Sequence, residues 1–338
     1  MRFPLSLTRS LTGYLLKKKL AGQKRFPLVL MLEPLHACNL SCTGCGRIRE
    51  YAASVREKLS VGRCMEALNE CGAPIVSICG GEPLIYPDIE ELIARILARR
   101  KHIYLCTNGL LLVQKLAGFP ASGRLFINVH LDGMEQTHDR LVQRQGVFAR
   151  AVEGIKAAKK AGYYVYTNTT LYRQTDVHEI AVLFELLTEL GVDGMMISPA
   201  YGYEAVHESD PDGAHAIFMT RDEVHRKFRE ARRLLGRFRL TASPLYMEFL
   251  CGRRELECAA WANPTYNIAG WKAPCYLITD DHYASYRELI ERTDWEQLGP
   301  GNDPRCEHCL VHCGFEPAAV FAARGFRDVF KMAVWQMT

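Results

Sequence analysis

Long apolar runs are missing from this chain. The longest, near Val29 to Leu32, is far short of the ~18 to 20 residues a bilayer-spanning helix needs, which excludes an ordinary transmembrane helix. No low-complexity tract and no repeat of solenoid period occurs either. Acidic residues are absent from residues 1–30, which carry Arg2, Arg9, Lys17, Lys18, Lys19, Lys24 and Arg25 interleaved with leucines and aromatics. That makes a basic amphipathic segment rather than a secretory leader, because no continuous apolar stretch followed by small residues comes after the cations. The protein is expected in the cytoplasm. Strong net charge is also lacking: +4 over 338 residues gives no support for a nucleic-acid partner.

Cysteine, by contrast, is plentiful. Thirteen occur, an odd number bunched in short clusters, and in a reducing compartment clustered thiols ligate metal more often than they pair. With 48% apolar residues, the chain can fill a large α/β core and still leave a smaller appendage.

From residue 26 onward, short apolar strand patterns alternate with longer helical ones. Strands are expected over 26–32, 74–79, 102–107, 125–131, 163–170 and 194–199, with helices near 60–71, 88–100, 110–117, 147–161 and 177–190. Repeated βα units imply a parallel sheet with ligands at the carboxyl ends of its strands. Six units make a partial (β/α)6 barrel of the TIM type, not a closed eight. A charged helix is expected over 221–235, and a Cys-, Trp- and Pro-rich region follows from about 243. The expected division is an N-terminal segment 1–25, a barrel 26–220 and a Cys-rich module 221–338.

Cys38, Cys42 and Cys45 directly follow the first strand, where a barrel places its active site. Three thiolates so spaced can hold three corners of one cubane and leave the fourth iron open, whereas a fully ligated electron-transfer cluster wants four Cys. A structural zinc knot is the other reading of the cysteines taken alone. This C-x3-C-x2-C loop resembles the signature of the radical S-adenosylmethionine (SAM) superfamily. Gly80-Gly81-Glu82-Pro83, ending the second strand, resembles that family's methionine-binding motif. The resemblance implies a [4Fe–4S] cluster on Cys38, Cys42 and Cys45. It also implies SAM on the open iron and reductive cleavage to a 5′-deoxyadenosyl radical, the cofactor pair carrying the difficult chemistry. Backbone of Gly80, Gly81 and Glu82 is implied to contact the SAM amino group, with Glu82 offering an acceptor of matching charge. An electron donor such as flavodoxin or ferredoxin is implied as partner.

Strand parity assigns faces. In 125–132, Ile127, Val129 and Leu131 share the apolar face, leaving Asn128, His130 and Asp132 toward the lumen. The same rule sends His102, Tyr104, Cys106 and Asn108 inward on the third strand, and Tyr166, Asn168 and Thr170 onto one face of the fifth. Asn108, Asn128, His130, Asp132 and Asn168 are candidate SAM contacts, and a satisfied core histidine is the equal alternative for His130. Cys106 is either a packing residue or a hydrogen-atom donor inside a radical barrel.

Across nearly its whole length the sequence resembles the adenosylhopane synthases of hopanoid biosynthesis. The resemblance rests on Pro27-Leu28-Val29-Leu30-Met31-Leu32-Glu33-Pro34, Ile78-Cys79-Gly80-Gly81-Glu82-Pro83-Leu84, Leu105-Cys106-Thr107-Asn108-Gly109 and His130-Leu131-Asp132-Gly133. It continues through Trp271-Lys272-Ala273-Pro274-Cys275-Tyr276 and Cys306-Glu307-His308-Cys309-Leu310-Val311-His312-Cys313-Gly314. The resemblance implies addition of the 5′-deoxyadenosyl radical to the terminal alkene of a hopene such as diploptene, with SAM as co-substrate and Cys106 supplying a hydrogen atom to the resulting tertiary radical. Hydrogen abstraction from a peptide or another lipid is the alternative. So insoluble a substrate calls for membrane access. Residues 1–25 offer a peripheral contact with the inner face of the membrane, or else a helix capping the barrel with its basic face in solvent.

Cys275, Cys306, Cys309 and Cys313 form a four-thiol set that could hold a second, fully ligated iron–sulfur cluster. Zinc or free thiols are the other readings, and Cys251 or Cys258 could replace one ligand. Cys64, Cys71 and Cys79 lack partner spacing and are expected to pack in the core.

Overall fold

The computed structural model describes residues 1–323 and 325–337, with Ala214 and His215 described by their backbone only. Six parallel strands lie in chain order: β1 (Val29–Leu32), β2 (Ile75–Ile78), β3 (His102–Thr107), β4 (Leu125–His130), β5 (Tyr164–Leu171) and β6 (Gly194–Pro199). Each agrees with its expected segment to within three residues at either end. Helices join them. Val61–Cys71 starts where the Ser60 hydroxyl accepts from the Arg63 amide, and stops at Gly72, whose φ of 68° suits a residue without a side chain. Glu135–Leu141 was not expected, because its polar residues carry no apolar period.

Parity separates two packing layers as anticipated. Ile103, Leu105, Ile127 and Val129 face the outer helices within the main core. Phe126 and Tyr166 form a second cluster inside the barrel, with Tyr104 packed against it. Its floor is closed by Leu7 and Phe3 from the N-terminal segment, whose helix spans Leu5–Leu20. That segment therefore caps the barrel at the amino ends of the strands, away from the cysteine loop.

Residue 220 is not a boundary in the packing. The sheet order is β6-β5-β4-β3-β2-β1-β7-β8-β9: β7 (Thr265–Asn267) lies parallel to β1, and β8 (Gly270–Pro274) and β9 (Thr279–Tyr283) continue antiparallel. Trp271, Phe249 and Phe315 join the same core as Leu30 and Leu32. The C-terminal part is thus built onto the open edge of the partial barrel and brings its own cysteines beside the first loop.

Candidate active site

After β1 the chain turns through the loop carrying Cys38, Cys42 and Cys45, all partly exposed at the carboxyl ends of the parallel strands. The loop is stapled to the turn after β2: the Gly81 amide donates to Leu35 O at 3.1 Å, and the Glu82 amide to Ala37 O at 2.9 Å. A Cβ on Gly81 would lie 1.8 Å from Ala37 O, and one on Gly80, where φ is 105°, would lie 2.5 Å from Leu35 O. The glycines thus give close approach first of all to the cysteine loop itself.

Glu82 is committed internally. It is 2% exposed; Oε1 accepts from Thr107 Oγ1 (2.7 Å) and the Leu84 amide (3.0 Å), and Oε2 from the Asn108 amide (2.8 Å). Burial drives its pKa up while these three donors oppose the rise. Asn108 is likewise a strut, its amide nitrogen donating to Asn39 Oδ1 at 2.8 Å and its oxygen accepting from the Leu110 amide.

The donor set fits a cubane. Burial pushes the Cys38 thiol up to about 11, and drives Cys42 higher still with Cys45 and Cys38 adding. Coordination to cationic iron removes the proton such crowding retains. Among the described residues no three His, Cys, Asp or Glu side chains converge as a single ion requires, whereas the corners of a cubane lie farther apart. The loop thiols would hold the open cluster, which with SAM supplies radical chemistry.

Inside the lumen, Cys106 Sγ lies 3.4 Å from Ser77 Oγ and 3.5 Å from Asn128 Nδ2. Burial raises its pKa against these two donors, keeping the S–H form at neutral pH. His130 Nε2 sits 2.7 Å from Asp132 Oδ2. Burial disfavours a charged His130 ring, yet the Asp132 carboxylate outweighs it and holds the pKa above the usual value. Asp132 Oδ1 accepts from the Thr170 amide at 2.7 Å, tying β4 to β5. Asn168 differs from these: its Oδ1 is buried without a hydrogen-bond partner, so a ligand donor would satisfy it.

Sequence reasoning missed a buried charge network between the two cysteine regions. Arg47 Nε lies 3.2 Å from Glu33 Oε1, and Arg47 Nη1 lies 3.0 Å from Glu50 Oε2. Its guanidinium stacks over Tyr276 at 4.3 Å and donates to Tyr276 O. Lys272 Nζ, fully buried, reaches Glu50 Oε1 at 3.0 Å. The pairing of Arg47 and Glu50 at i,i+3, three residues apart just after Cys45, was a visible signal; Lys272, 222 residues from Glu50, carried none.

Cys275, Cys306, Cys309 and Cys313 line one apolar cavity, and Cys258 lines it with them. Burial with neighbouring thiols pushes Cys258 up to about 12 and Cys306 to about 11. Five thiols around one chamber fit a second, fully ligated cluster with a donor to spare. Cys251 stays outside, its Sγ against Phe228 O. Cys64 and Cys71 pack in the main core as expected.

Residues 32–187 match the radical SAM superfamily, and residues 195–332 match a domain of unknown function, DUF3463. The AdoMet-dependent heme synthase of Methanosarcina barkeri is 31% identical over 170 residues, covering 49% of this chain and 48% of that protein. AlbA of Bacillus subtilis, an antilisterial bacteriocin subtilosin biosynthesis protein, is 24% identical over 313 residues, covering 86% of this chain and 66% of that protein. The chain spans about half the length of several curated relatives it matches. Streptococcus suis SuiB bound to its precursor peptide SuiA superposes with a TM-score of 0.56 at 18% identity, over 75% of this chain and 60% of SuiB. That likeness is one of fold. With the cysteine loop at the head of a six-stranded partial barrel, residues 32–187 form a radical SAM domain, which implies a [4Fe–4S] cluster and SAM.

Proposed function

We propose that this protein adds the 5′-deoxyadenosyl radical to the terminal alkene of a hopene such as diploptene, and that Cys106 returns a hydrogen atom to the tertiary carbon radical. The observation that carries the reading is the Cys106 thiol, facing the lumen between Ser77 and Asn128 rather than the apolar layer under the helices. Bound at Cys38, Cys42 and Cys45, a reduced cluster with SAM supplies the adenosyl radical. The backbone of Gly80, Gly81 and Glu82 and the unpartnered Asn168 Oδ1 would orient SAM. Transfer from Cys106 breaks its S–H bond, forms the C–H bond of the product and leaves a thiyl radical. One electron and one proton restore the thiol, so each turnover takes two electrons from a donor of the flavodoxin or ferredoxin class.

A second reading is hydrogen abstraction from a peptide or another lipid. The comparisons favour it over the hopene reaction, since the longest match described is to AlbA and the fold is shared with peptide-bound SuiB. An anaerobic assay of reconstituted enzyme with SAM, reductant and diploptene in detergent separates the two. Addition yields an adenosylated hopane and little free 5′-deoxyadenosine. Abstraction releases 5′-deoxyadenosine with no adduct, and that result would sink the hopene reading.

A further inference from the structure

The C-terminal helix Phe326–Met337 is amphipathic the wrong way round. Three of its four polar residues face the protein: Asp328 takes both Arg254 Nη1 (3.2 Å) and Nη2 (2.8 Å), Lys331 Nζ meets Glu248 Oε1 at 2.6 Å, and Gln336 Nε2 donates to Phe3 O and Thr8 Oγ1 at 2.9 Å. Met332 and Trp335 also turn inward, but a second apolar stripe faces out. Phe326, Val329, Phe330 and Met337 are 83%, 55%, 57% and 64% exposed, and their spacing places them with Ala333 on one face. Phe326 and Phe330 even stack on each other in solvent, ring centres 5.9 Å apart.

A surface helix normally buries that stripe and shows its charges to water. Here three polar anchors hold the reversed orientation, which costs exposed apolar area unless something covers it. The N-terminal helix adjoins it, with Phe3 against Trp335 and the Arg2 amide on Gln336 O, and it adds exposed Leu5, Leu16 and Leu20. Exposed cations lie on the same two helices: Arg9, Lys17 and Lys19 on the N-terminal helix and Arg327 on the C-terminal one, and residues 1–30 contain no acidic side chain. Exposed apolar side chains accompanied by cations match an anionic bilayer surface, where the stripe enters the acyl boundary and the cations meet the headgroups.

We propose that the Phe326–Met337 helix, together with the N-terminal helix, docks this protein on an anionic lipid surface. The N-terminal helix covers the amino ends of the strands, so the docking face lies at the opposite end of the barrel from the cysteine loop. The catalytic mouth then faces away from the bilayer, open to SAM and to the electron donor, so a hopene would have to leave the membrane to reach it. This inference does not rest on which substrate is used.

Flotation of the anaerobically reconstituted full chain with phosphatidylcholine vesicles, with and without about one-third phosphatidylglycerol, tests it. Wild type is expected to float with the anionic vesicles. The double variant Phe326→Ser/Phe330→Ser should lose about tenfold or more in affinity at an unchanged melting temperature, both rings being exposed. Lys17→Gln/Lys19→Gln gives an independent reading of the charge, with about fivefold lost per lysine. Absence of wild-type binding to anionic vesicles would overturn the proposal, as would binding insensitive to both variants. A concentration-dependent dimer, without vesicle binding and dissolved by the phenylalanine substitutions, would assign the face to a second copy of the chain instead.

Discussion

Ser77 Oγ lies 3.4 Å from Cys106 Sγ, across the pair of adjacent parallel strands β2 and β3. A thiol placed only for packing has no need of a hydroxyl and an amide on the same sulfur. The two contacts fix the position of the sulfur in the lumen, which the proposed delivery to one face of a carbon radical would require.

Replacement of Cys106 by serine should separate packing from chemistry. Serine keeps the size class and the hydrogen bonds to Ser77 and Asn128 but has no weak S–H bond. The variant is expected to fold with a melting temperature near wild type and to give adducts that are reduced in yield or stereochemically mixed. Ser77→Ala should retain turnover and show a smaller loss of stereochemical purity. Equal, unaltered product from all three proteins, read by chiral analysis, would return Cys106 to a packing role.

Gly81 makes a structural prediction. A side chain there meets the Ala37 carbonyl, which is backbone and cannot swing aside. Gly81→Ala should cost about 1–3 kcal/mol or more, and because Ala37 adjoins Cys38, iron bound at the loop should fall with it. Gly13, in the middle of the N-terminal helix with nothing within 4 Å of its Cβ position, is the control. Gly13→Ala should stabilise by about 0.5–1 kcal/mol. Thermal melts and iron content of the two variants check both.

Much of this was legible beforehand because it is periodic. The alternation Ile127, Asn128, Val129, His130 states which side of β4 is wet, and the structure places these residues as parity requires. What parity could not state is occupancy. Glu82 and Asn108 point toward the site region yet spend their polar atoms on Thr107, Leu84 and Asn39, and Asp132 spends its own on Thr170 and His130. The sequence offers Cys258 only as a substitute ligand, because sixteen residues of turn and strand separate it from Cys275, and only the packing of β7 on β1 brings them to one chamber. The outward stripe of the C-terminal helix is similarly invisible in sequence, where an apolar period reads as buried.

The charge network between the cysteine regions has a pH signature. Burial, with Arg47 adding, pushes Lys272 down to about 8 from its ordinary 10.5. Between those values the unfolded chain binds a proton that the folded chain has released, so this group makes stability rise with pH from about 8 toward 10.5. Lys272→Met should abolish that rise at little cost near neutrality, since Glu50 keeps Arg47 and Thr279. Arg47→Met is different: it strips the fully buried Glu33 of its cation and should cost about 3–5 kcal/mol. Urea unfolding at about pH 7 and about pH 9.5 distinguishes the two.

Iron counting tests the thiol chamber. If both cysteine regions hold clusters, reconstituted wild type should carry about eight irons, and Cys38→Ala/Cys42→Ala/Cys45→Ala about four. The residual iron would then sit in the chamber, where four of Cys258, Cys275, Cys306, Cys309 and Cys313 suffice. Substituted singly by alanine in that triple background, the four true ligands should each bleach the remaining absorbance, while the fifth should leave it. Cys258 and Cys275 are the discriminating pair, since they come from separate segments while Cys306, Cys309 and Cys313 share one. A triple variant with no iron at all would leave the chamber without a cluster. Under the proposed reaction it would also remove any second relay for the electron that returns a Cys106 thiyl radical to the thiol, so the donor would have to reach that radical through the cysteine loop alone.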